Sequence, residues 1–132
     1  MATFPAWANR YVGRHFDERT FNCFDLVRTV LVREFGQNIP APPPNVSAAK
    51  EDRAAVVAAI KTGLDVWEEI NPDNVRPGDA ILLRIMGNPW HCGVVLAPGW
   101  MLHVMQGTDT CIEDYTNLKW RNRVAGFYRY AG

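Results

Sequence analysis

From Val66 onward the chain is a series of short apolar runs, each closed by residues that reverse direction. Arg76-Pro77-Gly78-Asp79 reads as a turn, AILLRI follows from Ala80 to Ile85, Gly87-Asn88-Pro89 is a second turn, and Trp90 opens HCGVVLA. Pro98-Gly99 then precedes WMLHVM, and AGFYRY lies at the end. Runs this short and closely spaced predict an antiparallel meander, with no βαβ alternation of the kind that builds a parallel sheet. The first half has a different character. Phe24, Val27, Leu31 and Phe35 recur at spacings of three and four, Leu26 and Val30 widen the stripe, and Gly36 follows as a stop, which predicts a helix with one buried face. Ser47 can cap a second helix through about Thr62, with Ala55, Val56, Ala59 and Ile60 on its apolar side and Gly63 after it. Between the two, NIPAPPPN from Asn38 to Asn45 holds four prolines and is expected to run as an extended surface connector. Helices first and an antiparallel sheet afterwards define an α+β fold.

The chain has 132 residues, 48% of them hydrophobic, which is the size and composition of one domain, residues 1–132, with a sizeable core. Lys plus Arg and Asp plus Glu balance at 14 each, so no net field draws the protein to nucleic acid or to an anionic membrane. No apolar stretch approaches the roughly 18 residues of a membrane span, and the start does not read as a signal peptide, so the expectation is synthesis in the cytoplasm without membrane insertion. Three cysteines, Cys23, Cys92 and Cys111, are too few and too irregularly spaced for a disulfide framework and read as thiols.

Cys23 stands where polar chain becomes helix. With Thr20 or Asn22 as the cap, the sulfur lies in the first turn, where unpaired N–H groups and the helix dipole favour thiolate over thiol. A nucleophile also needs a base. His91 and His103 occupy consecutive runs, and a three-residue loop Ala97-Pro98-Gly99 pairs Leu96 with Trp100 and Gly93 with His103. The two imidazoles then share a face as diagonal neighbours, whereas a two-residue loop would set them on opposite faces. Gly93 leaves space opposite His103. Nucleophile, base and orienting group together are the logic of a cysteine hydrolase. Against this, a free cysteine is most often a small core residue, and His91 and His103 singly are compatible with ordinary hydrogen-bonded strand histidines. His15 reads as a surface residue, Cys92 as core, and Cys111 as part of a loop.

NCFDLV around Cys23, RPGDAILL, HCGVVLAPGWMLHV and the closing GFYR resemble the NlpC/P60 family of papain-like cysteine peptidases, and more narrowly its phage-tail and gene-transfer-agent branch. The resemblance implies Cys23 as nucleophile, His91 as general base, His103 as orienting residue, and Tyr11, about a dozen positions before the cysteine, with Asn22 near the substrate. It implies hydrolysis of peptidoglycan stem peptides, at the amide between D-glutamate and diaminopimelate, by a cofactor-free enzyme carried in a virion tail tip and docked on a tail-tip or hub protein. Two positions depart from the family pattern: Asn22 replaces a common Asp and keeps its capping ability, and Asp25 replaces a usual Gly. A carboxylate there opposes a nearby thiolate, but two helical residues turn through about 200 degrees, which projects Asp25 away from Cys23. Three alternatives stand beside this reading. A structural tail component could retain the fold and dock through its five tryptophans. An amidase or acyltransferase could use the same scaffold. Zinc could take Cys23, His91, His103 and Cys111 as ligands, although no C-x2-C or H-x3-H spacing supports it, so no metal is expected.

Overall fold

The computed structural model describes residues 3–40 and 66–132. A short 3-10 helix, Ala6–Arg10, leads into an irregular segment and then into the α-helix α1, Cys23–Phe35. Six strands follow: β1 Trp67–Ile70, β2 Ala80–Ile85, β3 Asn88–Ala97, β4 Trp100–His103, β5 Cys111–Asp114 and β6 Val124–Tyr130. They form one antiparallel sheet in the order β1-β6-β2-β3-β4-β5. The expected α+β architecture is therefore observed, with β2 to β5 as a meander and β6 returning between β1 and β2. The second expected helix, Ser47 to Thr62, and the proline segment beyond Pro40 lie outside the described residues.

Alternation along the strands sends two sets of side chains to opposite faces. Cys92, Val94, Leu96, Leu102 and Val104 form one core with Leu26, Val27, Val30 and Leu31 of α1. Ile81, Leu83, Val95, Met101 and Phe127 form a second core on the other face, closed by Tyr115 and Trp120 from the β5–β6 connection. Two covered faces explain why AILLRI is nearly continuous apolar sequence instead of alternating. On α1 the buried stripe is Leu26, Val27, Val30 and Leu31. Phe35, expected within it, is partly exposed and packs edge-on against Trp7, 5.7 Å between ring centroids. Gly36 ends the helix in the left-handed conformation, at φ 64°. Just beyond, Ile39 is buried, its carbonyl accepts from Arg28 Nε at 2.9 Å, and the Asn38 carbonyl accepts from Tyr130 at 3.0 Å. The start of the proline segment thus touches the domain through Ile39, while Asn38 and Pro40 on either side are exposed.

The hairpin that carries the two histidines reaches its expected register by another route. Val94 pairs with Leu102 and Val95 with Met101, as the three-residue loop requires, yet Ala97 pairs with Trp100 across a two-residue Pro98-Gly99 turn. A bulge between Val95 and Ala97 absorbs the odd residue and restores the face. A Cβ built on Gly93 would lie 2.9 Å from the Leu102 carbonyl oxygen and 3.1 Å from His103 Cβ. Glycine here is what permits the close approach of β4.

Candidate active site

Asn22 and Asp25 fix the start of α1 reciprocally. Asn22 Oδ1 accepts from the Asp25 backbone N–H at 2.9 Å, and Asp25 Oδ2 accepts from the Asn22 N–H at 3.0 Å, a complete capping box. The Asp25 carboxylate therefore holds the helix terminus in place. Burial pushes the Asp25 carboxyl up, the Asn22 N–H pulls it down, and the Cys23 charge raises it further, with a net upward shift. Asn22, expected near substrate, has its side-chain oxygen committed to this cap. Cys23 is the first residue of α1, half-buried, with Cys92 and His91 against its sulfur.

The Cys23 thiol is held well below its ordinary range. The largest cause is a hydrogen bond from the Cys92 thiol; burial opposes it, and the hydrogen bond and charge of His91 add to the lowering. Cys92 is driven the opposite way, upward, by the same contact with Cys23 and by burial. Cys92 is a core residue, as its place on the strand implies, but its S–H also serves the neighbouring sulfur. Sequence alternation alone did not predict that role, because it reports the face of a residue and not what approaches from the helix above.

Behind Cys23 runs a chain of hydrogen bonds through buried side chains. His91 Nε2 lies 2.8 Å from His103 Nδ1, His103 Nε2 lies 3.0 Å from Glu113 Oε1, and Trp120 Nε1 donates to Glu113 Oε2 at 2.8 Å. The fully buried Trp120 ring stacks on His91, with centroids 6.0 Å apart and planes at 30°, and meets His103 edge-on at 5.3 Å. Burial, together with the neighbouring His91, lowers the pKa of His103 to about 4, so it is neutral near pH 7 and carries one N–H. The Glu113 carboxyl is resisted by burial, yet the Trp120 and His103 hydrogen bonds hold it below its usual value, so it is an acceptor only. The proton of His103 therefore sits on Nε2, facing Glu113. His103 Nδ1 is then a bare acceptor, His91 donates to it from Nε2, and His91 Nδ1 is the nitrogen left for Cys23.

Glu113 and Trp120 were missed in the sequence. The signal available was the alternation of β5: His103 pairs with Cys111, and Glu113 stands two residues along on the same face. Cys111, expected in a loop, is the first residue of β5, with its sulfur 3.7 Å from His103 Nε2 and 3.8 Å from Glu113 Oε1. Tyr11 is not brought to the site. It is 3% exposed, and its hydroxyl lies 3.4 Å from Glu34 Oε1 at the far end of α1. Glu34 is eleven residues beyond Cys23, about 16 Å along a helix of 1.5 Å rise. His15 is exposed and paired with Asp109, apart from the relay.

Cys23 and His91 open into a cleft of about 250 Å³ walled by Phe16, Ile85, Trp90 and Met105. The N-terminal segment reaches it because the Gly13 N–H bonds the Thr110 carbonyl at 2.8 Å and the Phe16 N–H bonds the Thr108 carbonyl at 3.1 Å.

A cysteine at a helix start, a buried histidine pair on adjacent strands and this sheet order coincide with a sequence match. The NlpC/P60 family model matches residues 8–129. The chain belongs to the NlpC/P60 family. Among solved structures, an NLP/P60-family protein similar to a lipoprotein, from Staphylococcus aureus subsp. aureus Mu50, aligns at TM-score 0.62 with 18% identity over 95% of this chain and 39% of its own. An NlpC/P60 family protein from Bacillus cereus ATCC 10987 aligns at TM-score 0.65 with 16% identity over 98% of this chain and 42% of its own. This chain thus spans about two fifths of the length of those two proteins, and at these identities the likeness is one of fold. No curated protein matches.

Proposed function

We propose that this NlpC/P60 domain is a cysteine endopeptidase that cleaves peptidoglycan stem peptides, at the amide between D-glutamate and diaminopimelate. The observation that carries the reading is the continuous arrangement of a lowered-pKa Cys23 at a helix start, His91 beside it, and His103 and Glu113 behind. The Cys23 thiolate attacks the amide carbonyl while His91 holds the proton on Nδ1. As the tetrahedral intermediate collapses, His91 delivers that proton to the leaving amine and a thioester remains on Cys23; His91 then takes a proton from water, and hydroxide displaces the sulfur. Throughout, His91 keeps its Nε2–H on His103 Nδ1, which fixes its orientation and spreads the charge of the imidazolium. The Cys23 N–H, in the first turn of α1 where backbone donors lack intrahelical acceptors, is the donor for the oxyanion in this reading.

The test is digestion of purified peptidoglycan with product identification by mass spectrometry. Cys23→Ala is expected to abolish release of cleaved stem peptides, and His91→Ala to reduce it by about 10²-fold or more. Undiminished cleavage by Cys23→Ala would refute the assignment, and the product masses identify the bond. The likeness of NCFDLV and HCGVVLAPGWMLHV to the phage-tail branch further supports a place at a tail tip, docked on a hub protein. Detection of the chain in purified virion or particle tails checks this, and its absence from them counts against it.

A further inference from the structure

At the far end of the relay His103 and Glu113 meet Cys111, which is not part of the relay, in an arrangement with the spacing of a metal site. His103 Nε2, Cys111 Sγ and Glu113 Oε1 form a triangle of 3.0, 3.7 and 3.8 Å, and all three ligand atoms lie within 4.8 Å of one another. Tetrahedral zinc with one nitrogen, one oxygen and one sulfur, at about 2.05, 2.0 and 2.3 Å, sets them about 3.3 Å apart for N to O and about 3.5 Å apart for S to either. Each observed edge is within about 0.3 Å of these values, an adjustment that side-chain torsions supply. One soft, one borderline and one hard donor select zinc or a similar transition ion over magnesium or calcium.

Access is available from one side. His103 is buried, whereas Cys111 is half-buried and the Glu113 side chain is 25% exposed. The only cation in ion-pair contact with Glu113 among the described residues is Lys119, with Nζ 3.6 Å from Oε1; its side chain is 58% exposed and free to swing into solvent. Arg123 stands further out, over the Trp120 ring at 5.8 Å from the centroid.

We propose that His103, Cys111 and Glu113 bind one zinc-like divalent ion, and that the bound ion turns the His91–His103 relay off. A metal on Nε2 of a neutral imidazole requires the proton on Nδ1. Starting from the Cys23 thiolate and His91 imidazolium, binding releases the Cys111 thiol proton and the His103 Nε2 proton to solvent. The proton between the rings passes from His91 Nε2 to His103 Nδ1. His91 is left neutral, with its remaining proton on Nδ1 towards Cys23 and its Nε2 accepting from His103. In that state, delivering the Nδ1 proton to a leaving amine would require an imidazolate, so the acid step is blocked although Cys23 and the cleft are untouched. The switching half of the proposal rests on the peptidase reading; the binding half does not.

The test uses tag-free protein and the metal ions alone. Cys23→Ala, which removes any direct metal contact at the nucleophile, is expected to bind one equivalent of Zn2+ and, with Co2+, to show a thiolate-to-cobalt charge-transfer band in the near ultraviolet. Cys23→Ala with Cys111→Ser should lose both. No stoichiometric binding by Cys23→Ala at about 100 μM metal, a range in which such sites saturate, overturns the site. So does a cobalt band that survives Cys111→Ser. In the digestion assay saturating Zn2+ should lower parent activity at least about tenfold, since general acid–base catalysis supplies 10²–10⁴. Cys111→Ser, outside the relay, should keep its activity with or without the ion. Equal inhibition of parent and Cys111→Ser overturns the switch and places the inhibitory ion at Cys23.

Discussion

Glu113→Gln isolates the proton logic of the relay, because it preserves shape and removes one acceptor. In the parent, two donors converge on separate carboxylate oxygens: His103 on Oε1 at 3.0 Å and the fully buried Trp120 N–H on Oε2 at 2.8 Å. An amide offers one oxygen and one NH2 in their place. If the oxygen faces His103, the relay keeps its productive tautomer, but the NH2 meets the Trp120 N–H donor to donor. If the oxygen faces Trp120, every group is satisfied, yet the NH2 donates to His103 Nε2 and drives its proton to Nδ1, the tautomer in which His91 cannot act. The second arrangement avoids a buried unsatisfied donor, worth about 1–3 kcal/mol. At about 1.4 kcal/mol per factor of ten, the productive population falls about 5- to 150-fold. The expected result is a drop of that size in kcat, with KM nearly unchanged because Glu113 does not line the cleft, and with the urea midpoint close to that of the parent. Steady-state kinetics on a defined stem peptide measures the first two and equilibrium unfolding the third. Activity within twofold of the parent would refute the tautomer argument, as would a loss of activity that only tracks a loss of folded protein.

Three other outcomes follow from the same geometry. Cys92→Ala removes the largest influence holding the Cys23 pKa down, so the pH midpoint for alkylation of Cys23 should move upward; thiolate then appears only at higher pH, and an unmoved midpoint contradicts the role of Cys92. Asp79, buried at 1% exposure, takes Arg129 through two 2.8 Å bonds and also accepts from the Arg76 N–H at 2.9 Å, so Asp79→Ala, which leaves Arg129 only the Asn74 carbonyl and solvent, should cost about 1–3 kcal/mol in urea unfolding. Tyr11→Phe should leave kcat/KM within about twofold, since the hydroxyl sits beside Glu34 at the other end of α1; a large loss would restore Tyr11 to the substrate site.

Much of the site was legible in local sequence, because local sequence controls periodicity and capping. The N-terminus of α1 follows from Asn22 before an apolar stripe, and with it the placing of Cys23 in a first turn; Asp25, which looked like a liability for the thiolate, is the N3 half of the same cap. The common face of His91 and His103 follows from counting across a turn, although a bulge and a two-residue turn deliver it where a three-residue loop was expected. The register is the same by either route, since one residue added to a loop and one added as a bulge have the same effect on parity.

What the sequence alone determined was therefore the α+β class, the helix that presents Cys23, and the strand pair that brings His91 and His103 together. Tertiary structure decided everything that depends on which surfaces meet. It put the Cys92 thiol under Cys23, set Glu113 and Trp120 behind His103, brought Cys111 to the same group, and carried the Tyr11 hydroxyl away to Glu34. Periodicity assigns a residue to a face, whereas a hydrogen bond needs a distance. Distances between residues far apart in sequence are set only when the helix, the sheet and the returning β5–β6 connection close on one another.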